Sequence, residues 1–200
     1  MSKDIAHIIL AAGSSSRMGS PKQLLVWGKD SLIVSEIKKS LQLAHVQTYV
    51  VLGAHFELIK KEIHHLSIEI LFNENWKLGM GASISTGIHH ILKSEQNYKA
   101  VLISLIDQPF IDLNHLNSLY SKFDENENYI VATEMKKKVG VPAIFPRKYF
   151  GELSQLKEDF GARFMIKKYR DSIIAVDGQN KTDDIDTMEQ YELLFNRIKE

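Results

Sequence analysis

The chain of 200 residues contains no cysteine. Disulfides, thiolate metal sites and cysteine nucleophiles are thereby excluded, and a reducing cytoplasm is the compartment expected. It also lacks an excess of either charge, 25 Lys and Arg standing against 25 Asp and Glu. No global field therefore gathers nucleic acid or an anionic membrane, and any positive potential has to be local. No stretch approaches the roughly 20 apolar residues that a membrane-spanning helix needs. The opening MSKDIAHIILAAG has an apolar run too short and too interrupted for a signal peptide. Two familiar nucleotide signatures, G-x-x-x-x-G-K-[ST] and G-x-G-x-x-G, are missing as well. Gly13 and Gly19 stand six apart, and Ser20 follows the second.

What is present is concentrated at residues 9–25, ILAAGSSSRMGSPKQLL. An apolar strand over Ile5–Leu10 breaks at Ala11-Ala12-Gly13 and opens into small and hydroxylic residues carrying Arg17, Gly19 and Lys22. Small side chains let an anion approach backbone N–H groups, and the two cations supply fixed positive charge. Such a loop suits a triphosphate.

The remainder alternates between apolar runs of strand length and amphipathic stretches of helix length. Strands are expected at Ile5–Leu10, Thr48–Leu52, Ile68–Phe72, Ala100–Ile106, Tyr129–Thr133 and Ile173–Val176. Helices are expected at Leu32–Leu43, Phe56–His65, Ala82–Leu92, Leu113–Phe123, Arg147–Leu156, Phe160–Tyr169 and Met188–Ile198. This alternation predicts a mostly parallel sheet covered on both faces, with residues 1–200 as one α/β domain. Ligands of such sheets bind beyond the carboxyl ends of the strands, which puts the 11–23 loop and Asp107 on one rim.

Asp107 ends the buried-type run VLISLI and begins D-Q-P-F. A carboxylate there points into the cleft and suits Mg²⁺, which takes hard oxygen ligands together with substrate phosphates. Further carboxylates stand at Asp183, Asp184 and Asp186. Asp184 and Asp186 share one side of extended backbone, and either is a candidate second ligand. Asp186 or Thr187 is equally placed to cap the following helix. The glycines of Gly79-Met80-Gly81-Ala82-Ser83 permit close backbone approach at a helix start. Arg163, in D-F-G-A-R, is a natural partner for an acceptor phosphate, with a plain surface arginine as the alternative. Adjacent histidines at 64–65 and 89–90 face different directions on a helix and make poor metal sites.

Taken in order, the segments AAGSSSRMGSPKQLL, GMGASISTGI, DQPF, GVPAIF, DFGAR and DIDT resemble the molybdenum cofactor cytidylyltransferase family from about Ile5 to about Tyr191. The resemblance implies a three-layer α/β/α Rossmann-like nucleotidyltransferase fold with a mostly parallel mixed sheet. It also implies Mg²⁺-dependent transfer of CMP from CTP to the terminal phosphate of molybdenum-bearing molybdopterin, with release of pyrophosphate. Leu10, Ala11, Ala12, Gly13 and Ser14 would then line the nucleotide, joined by Gly81 and Ser83. Arg17 and Lys22 would hold the triphosphate, Asp107 would bind Mg²⁺, and Asp186 is the second metal ligand it implies. Gln108, Gly140, Pro142 and Arg163 fall on the acceptor side. Ile106 and Val141 stand where the family usually has Gly and often has His. The alternatives are a nucleotidyltransferase that uses GTP or a sugar or alditol phosphate, and a non-catalytic cofactor carrier serving an apo molybdenum hydroxylase.

Overall fold

The computed structural model describes residues 3–136, 138–157 and 161–198. Seven strands form the main sheet: β1 (Ile5–Ala11), β4 (Val46–Leu52), β5 (Glu69–Phe72), β6 (Ala100–Leu105), β7 (Ile130–Met135), β8 (Lys138–Pro146) and β9 (Ile173–Asp177). A small hairpin of β2 (Val26–Trp27) and β3 (Asp30–Ser31) stands apart from it. The order across the sheet is β5-β4-β1-β6-β8-β7-β9. Only β8 runs against its neighbours, antiparallel to both β6 and β7. The sheet is therefore mostly parallel and mixed, as the alternation of runs implies.

The helices are α1 (Leu32–Leu41), α2 (Phe56–Ile63), α3 (Met80–Lys93), α4 (Leu113–Asp124), α5 (Phe150–Leu153), α6 (Ala162–Lys168) and α7 (Met188–Arg197). Every residue of β1 is buried, and period-two geometry divides them between the two faces. Ala6, Ile8 and Leu10 pack with Ile84, Ile88 and Ile91 of α3, Leu153 of α5 and Met165 of α6. Ile9 and Ala11 pack with Leu32, Ile33 and Ile37 of α1, Ile59 and Ile63 of α2, and Leu194 of α7. Ile5 joins Leu116, Leu119 and Phe123 of α4. The result is a three-layer α/β/α arrangement. No helix among the described residues is long and apolar enough to cross a membrane.

Two expectations need correction. The stretch Arg147–Leu156 is not one helix but a 3₁₀ turn (Arg147–Tyr149) followed by the short α5. The segment GVPAIF, which carries no strand expectation, lies within β8. Gly140 and Pro142 are poor strand residues, and the ladder accommodates them by a bulge. Ala132 faces Ala143, whereas Thr133 faces Gly140, so Val141-Pro142 is skipped. The helix expected over Phe160–Tyr169 appears as α6; Phe160, and Asp159 of the DFGAR motif, lie outside the described residues.

The chain reverses its direction of growth at β1. It winds through β4 to β5 on one side and returns to place β6 on the other. The loop after β1 and the turn after β6 thus flank the crevice in which open α/β sheets bind ligands.

Candidate nucleotide-binding site

The loop leaving β1 is held open from within. Gln23 is fully buried, and its Nε2 donates to Ala11 O at 2.9 Å and Gly13 O at 2.9 Å. Ser15 adopts φ 54°, its backbone carbonyl accepts from Met18 N at 2.8 Å, and its hydroxyl accepts from Lys22 N at 3.0 Å. Gly19, at φ 67°, takes a left-handed conformation that a β-carbon would strain. These constraints bring Lys22 back across the crevice. Its Nζ lies 2.8 Å from Asp107 Oδ2, 2.9 Å from Ile185 O and 3.5 Å from Asp186 Oδ1. Arg17 reaches Asp186 Oδ2 at 3.1 Å from a side chain that is two-thirds exposed.

Asp107 is anchored through its backbone, since its carbonyl accepts from Ile185 N at 2.8 Å. One segment therefore both fixes Asp107 and presents Asp186 beside it. Thr187 ends that segment as the N-cap of α7, in a capping box with Gln190. The cap thus falls to Thr187 and leaves the Asp186 carboxylate facing the cations. Asp184 lies on the same segment, close enough to Gln108 for that side chain to favour its charged form. Although part of it stays exposed, desolvation of its carboxyl raises its pKa above the ordinary carboxylate value, and the charge of Asp107 adds to the rise.

The crevice holds a cavity of about 270 Å³ lined by Leu10–Gly13, Lys22, Gln23, Trp76, Gly79, Met80, Ser83 and Leu105–Asp107. Ser83 is buried and its Oγ accepts from Asn73 Nδ2 at 3.0 Å, which ties α3 to the end of β5. A β-carbon on Gly53 would come within 2.4 Å of Trp76 Cβ and 2.8 Å of Ala12 O. Trp76 can thus close the far wall only because residue 53 has no side chain.

Of the residues singled out from the sequence, the structure brings Leu10, Ala11, Ala12, Gly13, Lys22, Ser83 and Asp107 to one cavity, with Arg17 and Asp186 at its charged side. Ser14 is half-buried in the loop and Gly81 is buried in the first turn of α3, and neither lines the cavity. Gln108 is buried next to Asp107, and its Oε1 has no hydrogen-bond partner. Gly140 and Pro142 lie in β8. Arg163 is elsewhere, in an exposed groove of about 410 Å³ with Lys138, Lys167 and Arg170. Sequence reasoning passed over Gln23, Asn73, Trp76 and Met80. Gln23 follows Lys22 in the motif itself, but nothing in its type announces a buried brace.

A divalent cation suits the donors. Asp107 Oδ1 is buried without a hydrogen-bond partner, and the Asp186 carboxylate, which shares Lys22 Nζ with Asp107, offers a second hard oxygen nearby. Among the described residues no cluster of three or more His, Cys, Asp or Glu side chains is placed to hold a metal. Two carboxylates, with the remaining positions left to phosphate oxygens and water, make a magnesium-like rather than a zinc-like donor set.

A phosphate-type loop after the first strand, two cations and two carboxylates on the rim of a Rossmann-like sheet define a nucleotidyltransferase. Residues 7–173 match the model of the MobA-like NTP transferase domain, and the chain belongs to that family. It is similar to the purine catabolism protein PucB of Bacillus subtilis, 27% identical over 209 residues, covering 94% of each chain. A probable molybdenum cofactor guanylyltransferase of Rhodopirellula baltica is 26% identical over 133 residues, covering 64% of this chain and 59% of the relative. Among solved structures, the manganese complex of Rv0371c from Mycobacterium tuberculosis superposes with a TM-score of 0.77 at 23% identity. The match covers 96% of this chain and 98% of that one.

Proposed function

We propose that the protein transfers CMP from CTP to the terminal phosphate of molybdenum-bearing molybdopterin, with Mg²⁺ as cofactor and pyrophosphate as the other product. The observation that carries this reading is the position of Lys22 Nζ, 2.8 Å from Asp107 and 3.5 Å from Asp186 beside the 270 Å³ cavity. Positive charge for a triphosphate and oxygen ligands for its metal meet at one point. An acceptor phosphate oxygen attacks the α-phosphorus in line, and the bond from that phosphorus to the bridging oxygen breaks toward pyrophosphate. The protein's contribution is alignment and neutralisation of charge rather than acid–base chemistry.

Leu10–Gly13 and Ser83 flank base and ribose, with Gly81 supporting the turn behind them. Arg17 and Lys22 screen the repulsion between two anions and stabilise the departing pyrophosphate. Asp107 and Asp186 would hold Mg²⁺, which when bound neutralises phosphate charge and orients phosphate oxygens. That the Mycobacterium tuberculosis protein forms a complex with manganese supports a divalent ion at such a site. Gln108, with its unsatisfied Oε1, and Gly140 and Pro142 are assigned to the acceptor side, and Arg163, in a groove apart from the cavity, only to a distal part of the acceptor.

We choose the pyrimidine because bulky Trp76, Met80 and Ile106 wall the cavity. The product's recipient is then an apo molybdenum hydroxylase, and the name of the Bacillus subtilis relative points to one acting in purine catabolism. GTP is the second reading, supported by relatives named as guanylyltransferases. Measuring pyrophosphate release with each of the four nucleoside triphosphates, with and without molybdopterin, separates the two. Release that requires both CTP and molybdopterin is the expected result. Release with GTP alone among the nucleotides would replace CTP, and release without molybdopterin would remove it as the acceptor.

A further inference from the structure

We infer that Lys39, held in place by Glu36, is a positioning residue for Asp107, acting by tying the turn that follows it to α1. This rests on the nucleotidyltransferase reading of Asp107 and adds a part of the machinery that lies outside the cavity.

The turn at 107–111 is irregular backbone whose carbonyls need donors. Pro109 has no N–H to contribute, and Ile111 N donates to Gln108 O at 3.1 Å. Lys39 Nζ supplies what remains, donating to Pro109 O at 2.8 Å and to Ile111 O at 2.7 Å. Its third donor goes to Glu36 Oε1, one helical turn back on α1. Both side chains are mostly shielded, at 17% exposure for Lys39 and 9% for Glu36. Asp107 is thereby fixed from two sides, by Ile185 N on its own carbonyl and by α1 on the carbonyls of Pro109 and Ile111.

Stability alone is a poor reason for such a pair. Burying the Lys39 ammonium beside the Glu36 carboxyl carries a desolvation cost of several kcal/mol per charge, and apolar replacements are often neutral or better. Nor does α1 need the pair in order to dock, because Leu32, Ile33 and Ile37 are already fully buried against the sheet. What the ammonium does, and a methylene chain cannot, is fix two specific carbonyls within hydrogen-bonding distance of a point on α1. Misplacing a catalytic group by about 1 Å is enough to cost on the order of 10²-fold in rate.

The experiment compares the full-length protein with Lys39→Met, Lys39→Arg and the double variant Glu36→Gln/Lys39→Met. Three readouts are taken: Mn²⁺ binding followed by electron paramagnetic resonance, amide hydrogen exchange across 105–112, and steady-state pyrophosphate release. Lys39→Met is expected to weaken Mn²⁺ binding and speed exchange at Ile111, whose N–H closes the turn on Gln108 O. It should lower kcat by roughly 10- to 100-fold, with KM for the nucleotide nearly unchanged, and Lys39→Arg should recover much of each. The double variant, which leaves no buried charge behind, should fold and show the same losses. Wild-type Mn²⁺ binding and exchange in a folded Lys39→Met or double variant would overturn the inference. Should the wild-type protein release no pyrophosphate with any nucleotide, the nucleotidyltransferase reading of the site falls instead. Mn²⁺ binding and exchange would still decide the role of Lys39.

Discussion

At the scale of single residues, the site concentrates its chemistry in Lys22. Its side chain is 13% exposed and its ammonium spans two carboxylates and a carbonyl, so its removal deletes a preorganised charge where phosphate charge develops. Lys22→Ala is expected to lose on the order of 10²–10³ in kcat; a loss under about threefold would remove it from the machinery. Asp107→Ala should abolish turnover, and near-normal rates at saturating Mg²⁺ would take it out of the metal site. The two variants should differ in stability. Lys22→Ala leaves a half-buried Asp107 without its cation, whereas Asp107→Ala leaves Lys22 with Asp186 and Ile185 O still in reach. Both residues stand out in the sequence, one in a glycine-flanked loop and the other at the end of an apolar run. Their mutual distance, by contrast, depends on Gln23, whose only distinction is where it is buried.

At the scale of elements, strand order and helix caps decide which side chains reach the rim. Thr187 caps α7 through Gln190 N at 3.2 Å, while Gln190 Oε1 accepts from Asp186 N at 2.8 Å. Thr187→Ala should therefore cost about 1 kcal/mol, within the usual range for a lost N-cap. It should also raise the metal concentration needed for half-maximal rate, because a frayed first turn of α7 holds Gln190 Oε1, the acceptor of Asp186 N, less firmly. Thermal unfolding and a Mg²⁺ titration measure the two effects, and a stability loss with an unchanged titration would separate the cap from the site. Gly53→Ala tests the far wall. Its β-carbon meets Ala12 O and Trp76 Cβ, which belong to backbone and to a rigid stem rather than to a flexible tip. An overpacking cost of about 1–3 kcal/mol with a raised nucleotide KM is expected; a purely thermal defect would show that the wall does not touch the nucleotide. Most of these elements are legible in the sequence, because buried parallel strands read as unbroken apolar runs. β8 is not, since Gly140 and Val141-Pro142 disguise a strand whose irregularity a bulge absorbs. The pairing of Lys39 with carbonyls 70 and 72 residues away is equally invisible, because it depends on tertiary packing alone.

At the scale of the whole molecule, two of the buried titratable groups pull the fold's response to pH in opposite directions. His7 sits in the middle of β1, with Nδ1 2.7 Å from Ser40 Oγ and Nε2 2.8 Å from Ser104 Oγ, and Ser40 continues to Thr48 at 2.7 Å. The network joins α1 to three central strands, and burial lowers the His7 pKa from 6.5 to about 3. Below pH 6.5 the unfolded chain therefore binds a proton that the fold refuses, and stability from this group is lost as pH falls toward 3. Glu36 behaves in the opposite sense. Burial chiefly, with Lys39 opposing and Asp107 adding to the effect, raises its pKa from 4.5 to about 7. Its folded form holds a proton that the unfolded chain has released, so stability from this group is greatest below pH 4.5 and is lost as pH rises through 7. Between about pH 5 and 6.5 the two slopes are each about 1.4 kcal/mol per pH unit and of opposite sign, so these two contributions nearly cancel. His7→Gln keeps a hydrogen-bonding side chain but removes the titration. Its unfolding free energy, measured by urea denaturation, should therefore rise relative to that of the wild type by about 1 kcal/mol for each unit the pH is lowered across that window. A variant whose curve remains parallel to the wild type would show that His7 is not held neutral by the fold.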